Sequence, residues 1–239
     1  MPDKKTILST RPVGDDIIRK AAAANVVVEV ENFIETKPVA NAFVKQQISN
    51  IAEREAIVVF TSMNAVEAVA SALDAKNPGW KIFALGTATR KLATTHFTAS
   101  TITGGGSNAT ELAEIIISEA PFKNVVFFCG NERRDELPVT LTKNGFDVNE
   151  IVVYETILRS HQVKKDYDGI LFFSPSAVES FFKTKQHLSP TTILFAIGKT
   201  TAACIEQYAT NKVITSDQPG KEALIAQAIS YFNTINHHQ

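Results

Sequence analysis

FTSMNAVEAV at residues 60–69 and FFSPSAVESF at residues 172–181 spell one junction twice. In each copy an apolar run ends on phenylalanine, small hydroxyl residues follow, and Ala-Val-Glu continues in helical spacing. The correspondence extends well beyond the junction. Phe60 pairs with Phe172, Ser62 with Ser174, Ala65-Val66-Glu67 with Ala177-Val178-Glu179, and FALG at 83–86 with FAIG at 195–198. Ile102-Thr103 pairs with Ile214-Thr215 and Leu112 with Leu224, so that every offset from Phe60 to Leu112 is 112 residues without a gap. Solenoid units run roughly 20–50 residues, so a period this long marks a duplicated domain.

Around the repeat, short runs rich in Val, Ile and Phe alternate with helical patterns. TILST, VVVEVENF, AIVVFTS, KIFALG, STIT, NVVFFCG, FDVNEIVVYET, DGILFFS, TILFAIG and KVITS are predicted strands, and 64–73, 110–118, 176–182 and 222–232 are predicted helices. Several strands are apolar without alternation, as strands covered on both faces are, which predicts an α/β chain with mostly parallel sheets. Each copy supplies a βαβ unit and three further βα units, enough for a flavodoxin-like doubly wound sheet. Two segments, 26–38 and 146–158, keep strand character for 13 residues each, against a usual strand of about 5–6. Such runs are expected to leave one sheet and continue elsewhere. If both cross, the first βαβ unit joins the last three βα units and the middle of the chain forms the other domain.

Composition narrows the function classes. The 239 residues are 44% hydrophobic and 21% charged with a net charge of -1, which excludes disorder and gives no basic footprint for nucleic acid. Cys129 and Cys204 are the two cysteines, with no CxxC and no His/Cys cluster at metal-ligand spacing, so neither a metal nor a disulfide framework is expected. No apolar run is long enough for a signal peptide or a membrane helix, which predicts a cytoplasmic protein with no membrane contact.

In doubly wound sheets ligands bind at the carboxyl ends of the strands, where helix N-termini point outward. Thr61-Ser62, Gly86-Thr87-Ala88-Thr89, Ser174-Pro175-Ser176 and Gly198-Lys199-Thr200-Thr201 all stand there. Helix capping accounts for a hydroxyl at any one junction. Four junctions of one kind, two per domain, shift the balance towards a ligand, and two facing sets would line a cleft between domains. Arg11 after the first strand, and Asn131 and Arg133 after NVVFFCG, occupy the same end of other strands, and arginine suits bidentate carboxylate binding. Tyr154, in the second over-long strand, either packs its ring with one hydrogen-bond partner or, in a cleft, offers its phenol to a leaving oxygen.

Other features carry no chemistry. Gly104-Gly105-Gly106 lacks a following GK[ST] and is expected to be a flexible turn, and TRPVGDD after the first strand is no G-x-G-x-x-G. Cys129 is expected to be a buried thiol, and the histidines are scattered outside any motif with a carboxylate.

The strings FTSMNAVEA, FALGTAT, FFCGNERRDELP, VVYET, FFSPSAVESF and FAIGKTT, in that order, resemble the uroporphyrinogen-III synthase family over nearly the whole chain. The resemblance implies a monomeric enzyme without metal or organic cofactor. It would cyclise and dehydrate hydroxymethylbilane, a linear tetrapyrrole octacarboxylate, with inversion of the last ring to give uroporphyrinogen III, and could receive its substrate by transient hand-over from hydroxymethylbilane synthase. It implies a discontinuous domain of residues 1–35 and 159–239, a second domain of 38–150, and a two-stranded β-ladder linker of 32–38 and 150–158. It implies Tyr154 as the catalytic residue, with Thr61, Ser62, Thr89, Ser174, Thr200 and Thr201 on the substrate. To these the strand-end positions add Arg11, Gly86, Asn131, Arg133, Ser176, Gly198 and Lys199. Thr87 and Met63 stand where other members often have Asn and Pro. The competing reading is a cytosolic two-domain binding or sensor protein for a small anion, which would lack cyclising activity.

Overall fold

The computed structural model describes residues 4–74, 76–218 and 220–236, the last two without their side chains. In chain order the elements are β1 (Lys5–Ser9), α1 (Asp15–Ala23), β2 (Val26–Val30), β3 (Ile34–Pro38), α2 (Ala42–Ala52), β4 (Ile57–Phe60), α3 (Met63–Ala72), β5 (Lys81–Ala84), α4 (Gly86–His96) and β6 (Thr101–Gly104). They continue with α5 (Ala109–Glu119), β7 (Asn124–Gly130), α6 (Glu136–Lys143), β8 (Asp147–Leu158), β9 (Gly169–Phe172), α7 (Pro175–Lys183), β10 (Ile193–Ala196), α8 (Lys199–Ile205), β11 (Val213–Thr215) and α9 (Lys221–Asn236). Two compact units result, one of Met1–Glu35 with Ile157–Gln239 and one of Thr36–Thr156.

The first unit holds a five-stranded parallel sheet in the order β11-β10-β9-β1-β2. In the second, β6-β5-β4-β7-β8 repeats that order with parallel pairing, and β3 adds a sixth strand on β8. The amides of Val39 and Arg159 donate to the carbonyls of Val153 and Phe33, so that partner numbers fall as the others rise and β3 runs antiparallel to β8. The repeat seen in the sequence is literal in the structure: β4, β5 and β6 begin at 57, 81 and 101, and β9, β10 and β11 at 169, 193 and 213, each 112 positions on. Both units have the flavodoxin-like strand order, the second entered at a different point of the chain.

Strand residues alternate between two buried faces, which is why these strands are continuously apolar. In the second unit Val58, Phe60, Ile82 and Phe128 pack under α2, α3 and α4, while Ile57, Val59, Phe83 and Phe127 pack under α5 and α6. The first unit does the same with Leu8, Ile170 and Phe172 against α7 and α8, and Ile7, Leu171 and Phe195 against α1 and α9.

One over-long strand is a single element and the other is not. β8 runs for 12 residues, but 26–38 breaks into β2 and β3 at residues 31–33. Phe33 is the cause. Its ring is wholly buried, 5.1 Å from Phe181 and stacked at 4.2 Å on His161, and seating it turns the chain off the first ladder before β3 begins. The glycine triplet is also corrected: it is a close approach rather than a flexible turn. A Cβ at Gly106 would lie 2.5 Å from the Leu112 amide nitrogen, and one at Gly104 would lie 2.5 Å from Ile115 Cγ2 and 2.9 Å from Phe83 Cδ1. The absent side chains let α5 sit directly on β5 and β6.

Cys129 is buried in β7, with Sγ 3.7 Å from the Ile151 carbonyl oxygen. Burial, reinforced by the charge of Glu150, pushes its thiol up to about 11, and burial raises the Cys204 thiol as well. With the folded value above the unfolded one, the contribution of Cys129 to stability is complete below about pH 9 and is lost as the pH rises towards 11. Both thiols should therefore be inert to an aromatic disulfide reagent at pH 8 and react within the unfolding transition in urea. Fast reaction of the native protein would contradict this burial.

Candidate functional site at the carboxyl ends of the strands

The carboxyl ends of β4, β5 and β7 carry the expected junctions of the second unit, and those of β1, β9 and β10 carry those of the first. The hydroxyls divide into two kinds. Ser62 and Ser174 are N-caps, accepting from the amides of Asn64 and Ala177 at 3.2 Å each. By contrast α4 and α8 begin at Leu85 and Gly198 with no side-chain cap bond. Their first amides carry the partial positive charge of a helix start. Gly86 has φ +76°, which favours glycine, and its amide donates to the Gly106 carbonyl at 2.8 Å. Thr61 and Ser176 are half-buried, Lys199 and Thr200 are exposed, and Thr89 and Thr201 are buried in their helices.

The three polar residues after β1 and β7 differ in availability. Arg11 is exposed and makes no ion pair among the described residues, and the turn beneath it is tied by the Thr10 hydroxyl donating to the Leu171 carbonyl at 2.7 Å. Arg133 is paired with both Glu150 and Asp135. The Asn131 side chain brackets the backbone of Thr156: Oδ1 accepts from the Thr156 amide at 2.7 Å and Nδ2 donates to its carbonyl at 3.4 Å.

Tyr154 lies level with the carboxyl end of β7, in register with Gly130. It is half-buried against the core under α3, and its hydroxyl has no hydrogen-bond partner among the described residues. Tyr154 lines a cavity of about 430 Å³ together with Thr36, Lys37, Asn64, Glu67 and His96. The sequence singles out Tyr154 by its over-long strand and by the resemblance but not these neighbours, which come from α3, α4 and β3 and share no local pattern. Every lining residue belongs to the second unit.

In the first unit a polar network closes the end of β2. Lys165 is 2.5 Å from Glu29, and the Tyr167 hydroxyl donates to Glu29 at 2.9 Å and to Glu31 at 3.4 Å. Lys165, opposed by burial and helped by Tyr167, holds the Glu29 carboxyl below its usual range. Burial and then Glu29 push the Tyr167 phenol upward, so it stays a neutral donor. His161 contacts Glu31 at 2.7 Å and the Arg159 carbonyl at 2.9 Å while stacking on Phe33. This network seats Phe33 and thereby the start of β3. Among the described residues no cluster of His, Cys, Asp and Glu could hold a metal ion, and no helix is long and apolar enough to cross a membrane.

A structure titled uroporphyrinogen-III synthetase from Helicobacter pylori superposes with a TM-score of 0.67 at 17% identity, over 95% of this chain and 99% of that one. A mutant uroporphyrinogen III synthase from Thermus thermophilus gives 0.63 at 13% identity, over 95% and 98%. At such identities the likeness is one of fold. No curated protein sequence matches the chain. The family model described as uroporphyrinogen-III synthase HemD matches residues 15–226, most of the length and both units. The chain belongs to the uroporphyrinogen-III synthase family.

Proposed function

We propose that this protein is the uroporphyrinogen-III synthase of tetrapyrrole biosynthesis, a cyclising hydro-lyase acting on hydroxymethylbilane. The observation that carries the reading is Tyr154, a half-buried residue that lines a cavity and whose hydroxyl has no hydrogen-bond partner among the described residues, in a member of that family. The terminal hydroxyl of the bilane leaves as water, assisted by a hydrogen bond or proton from Tyr154. The azafulvene so formed is attacked by the substituted carbon of the last pyrrole. The spiro intermediate fragments and recloses with that ring inverted, and loss of a proton restores aromaticity. The sequence is redox-neutral and gains its selectivity from holding a flexible chain in one curled geometry.

The eight carboxylates need donors rather than a large basic field. The uncapped helix starts, of α4 at Thr87 and of α8 at Gly198, Lys199 and Thr200, are proposed to take them, with Gly86 shaping the turn and Thr89 and Thr201 buried behind it. Arg11 and Ser176 stand at neighbouring strand ends of the first unit and Thr61 at the end of β4 in the second, and Ser62 and Ser174 shape the turns as caps. Arg133 is already neutralised by two carboxylates and is assigned to the turn rather than to substrate. We place the enzyme in the cytoplasm, where two unpaired thiols persist, as a monomer. Hand-over from hydroxymethylbilane synthase would shorten the time in which the bilane can close without inversion.

The test couples the purified protein to hydroxymethylbilane synthase and separates the oxidised porphyrin isomers. The expected product is mainly type III. Type I at the level of spontaneous closure would overturn the assignment and favour a binding protein. Chelator should leave turnover unchanged, and loss restored by a metal ion would contradict the proposed chemistry.

A further inference from the structure

We propose that Gly130 and Asn131 are positioning residues that fix the Tyr154 hydroxyl for catalysis, an inference that rests on the role of Tyr154 proposed above. The evidence is steric. A Cβ built on Gly130 would lie 2.7 Å from Tyr154 Cε2 and 2.8 Å from its hydroxyl oxygen, and closer still to Cζ. The hydroxyl end of the phenol, Cζ, Cε2 and the oxygen, therefore occupies the space beside the bare Cα of residue 130 that any side chain would fill. The ring is also stepped in register. Pairing between β7 and β8 runs from Cys129 with Val152 to Gly130 with Tyr154, and the skipped Val153 marks a bulge that re-aims the next side chain.

Beyond the bulge the ladder is completed by a side chain. The Asn131 amide nitrogen donates to the Tyr154 carbonyl at 3.2 Å, while its carboxamide accepts from Thr156 N at 2.7 Å and donates to Thr156 O at 3.4 Å. Asn131 thus holds the backbone on both sides of Glu155, and Gly130 leaves room for the hydroxyl end of the ring. The hydroxyl makes no hydrogen bond of its own among the described residues, so its position is set by this seat. A cross-strand ring over glycine also protects a sheet. That role predicts loss of stability, whereas positioning predicts loss of turnover that vanishes when the hydroxyl is already gone.

The experiment is a double-mutant cycle on the full chain, reading kcat, KM, isomer ratio and thermal midpoint. Moving the ring aside by about an ångström in Gly130→Ala should lower kcat about tenfold to a hundredfold with KM little changed. In a Tyr154→Phe background the same substitution should cost less than about threefold, because nothing remains to misplace. Should Gly130→Ala fail to fold, Asn131 decides: Asn131→Leu should lower kcat, and Asn131→Asp, which keeps the acceptor for Thr156 N, should restore most of it. Parental kcat in folded Gly130→Ala, an undiminished loss in the Tyr154→Phe background, or equal kcat in the two Asn131 variants would overturn the positioning role. A Tyr154→Phe protein with parental kcat removes the underlying reading as well, so the two failures are distinguishable.

Discussion

Phenylalanine at position 154 is expected to lower turnover of hydroxymethylbilane by about 10²-fold, the lower end of what a positioned acid supplies, while the fold stays intact. The substitution removes one oxygen from a hydroxyl without a hydrogen-bond partner among the described residues, so the ring keeps its seat beside Gly130 and nothing buried is left unsatisfied. KM should move little, because carboxylate binding is assigned to other groups. The isomer ratio should move more than either constant. As the enzyme slows, spontaneous closure claims a larger share of the bilane, and type I rises at the expense of type III. Stopped assays across a range of enzyme concentrations separate the two routes, since only the catalysed one scales with enzyme. Parental turnover in a folded Tyr154→Phe protein would return Tyr154 to a packing role.

The fold was legible because duplication repeated the evidence. Strands of three or four residues are weak signals alone, but β4, β5 and β6 recur at the same offset as β9, β10 and β11 with matching residues, and the copies corroborate each other. The break between β2 and β3 was not legible. It depends on Phe33 finding Phe181 and His161, partners more than a hundred positions away, and local β-propensity at 26–38 carries no trace of it. The glycine triplet misled for a similar reason: composition suggests flexibility, and only the neighbours of each Cα reveal close packing.

The candidate site was legible as a place more than as a set of roles. Strand-end position identifies Ser62 and Ser174 but cannot tell a cap from a ligand, and the structure gives both hydroxyls to helix amides. Arg133 and Asn131 look alike in the sequence as polar residues after β7, yet one is neutralised by Glu150 and Asp135 and the other completes a ladder to Thr156. These assignments depend on which side chains arrive from β8, which a linear pattern does not encode. Gly130 went unnoticed because a glycine at a strand end is ordinary until a ring is found beside it.

Truncating Phe60 to alanine, at the head of one copy of the repeated junction, should destabilise the second unit by about 3–5 kcal/mol. Phe60 is wholly buried, with its ring 5.6 Å from Phe97 and 5.7 Å from Phe128, and both of those rings touch Trp80 at 5.6 and 5.9 Å. Four large rings meet between β4, β5, β7 and the end of α4, so loss of one leaves a cavity that its stiff neighbours cannot close. Trp80 is the sole tryptophan of the chain, and its indole nitrogen donates to the Ile51 carbonyl at 3.1 Å, so its emission reports this cluster in a urea titration. Phe60→Leu, which keeps most of the volume, should cost less than about 1.5 kcal/mol. A Phe60→Ala midpoint within about 1 kcal/mol of the parent would mean that α3 settles into the space. The carbonyl of Phe60 also accepts the Leu85 amide at 2.8 Å, which fixes the turn into α4 beside Thr61 and Ser62. The aromatic cluster therefore holds the strand ends at which the proposed anion-binding amides emerge, and its loss should loosen the site before it unfolds the unit.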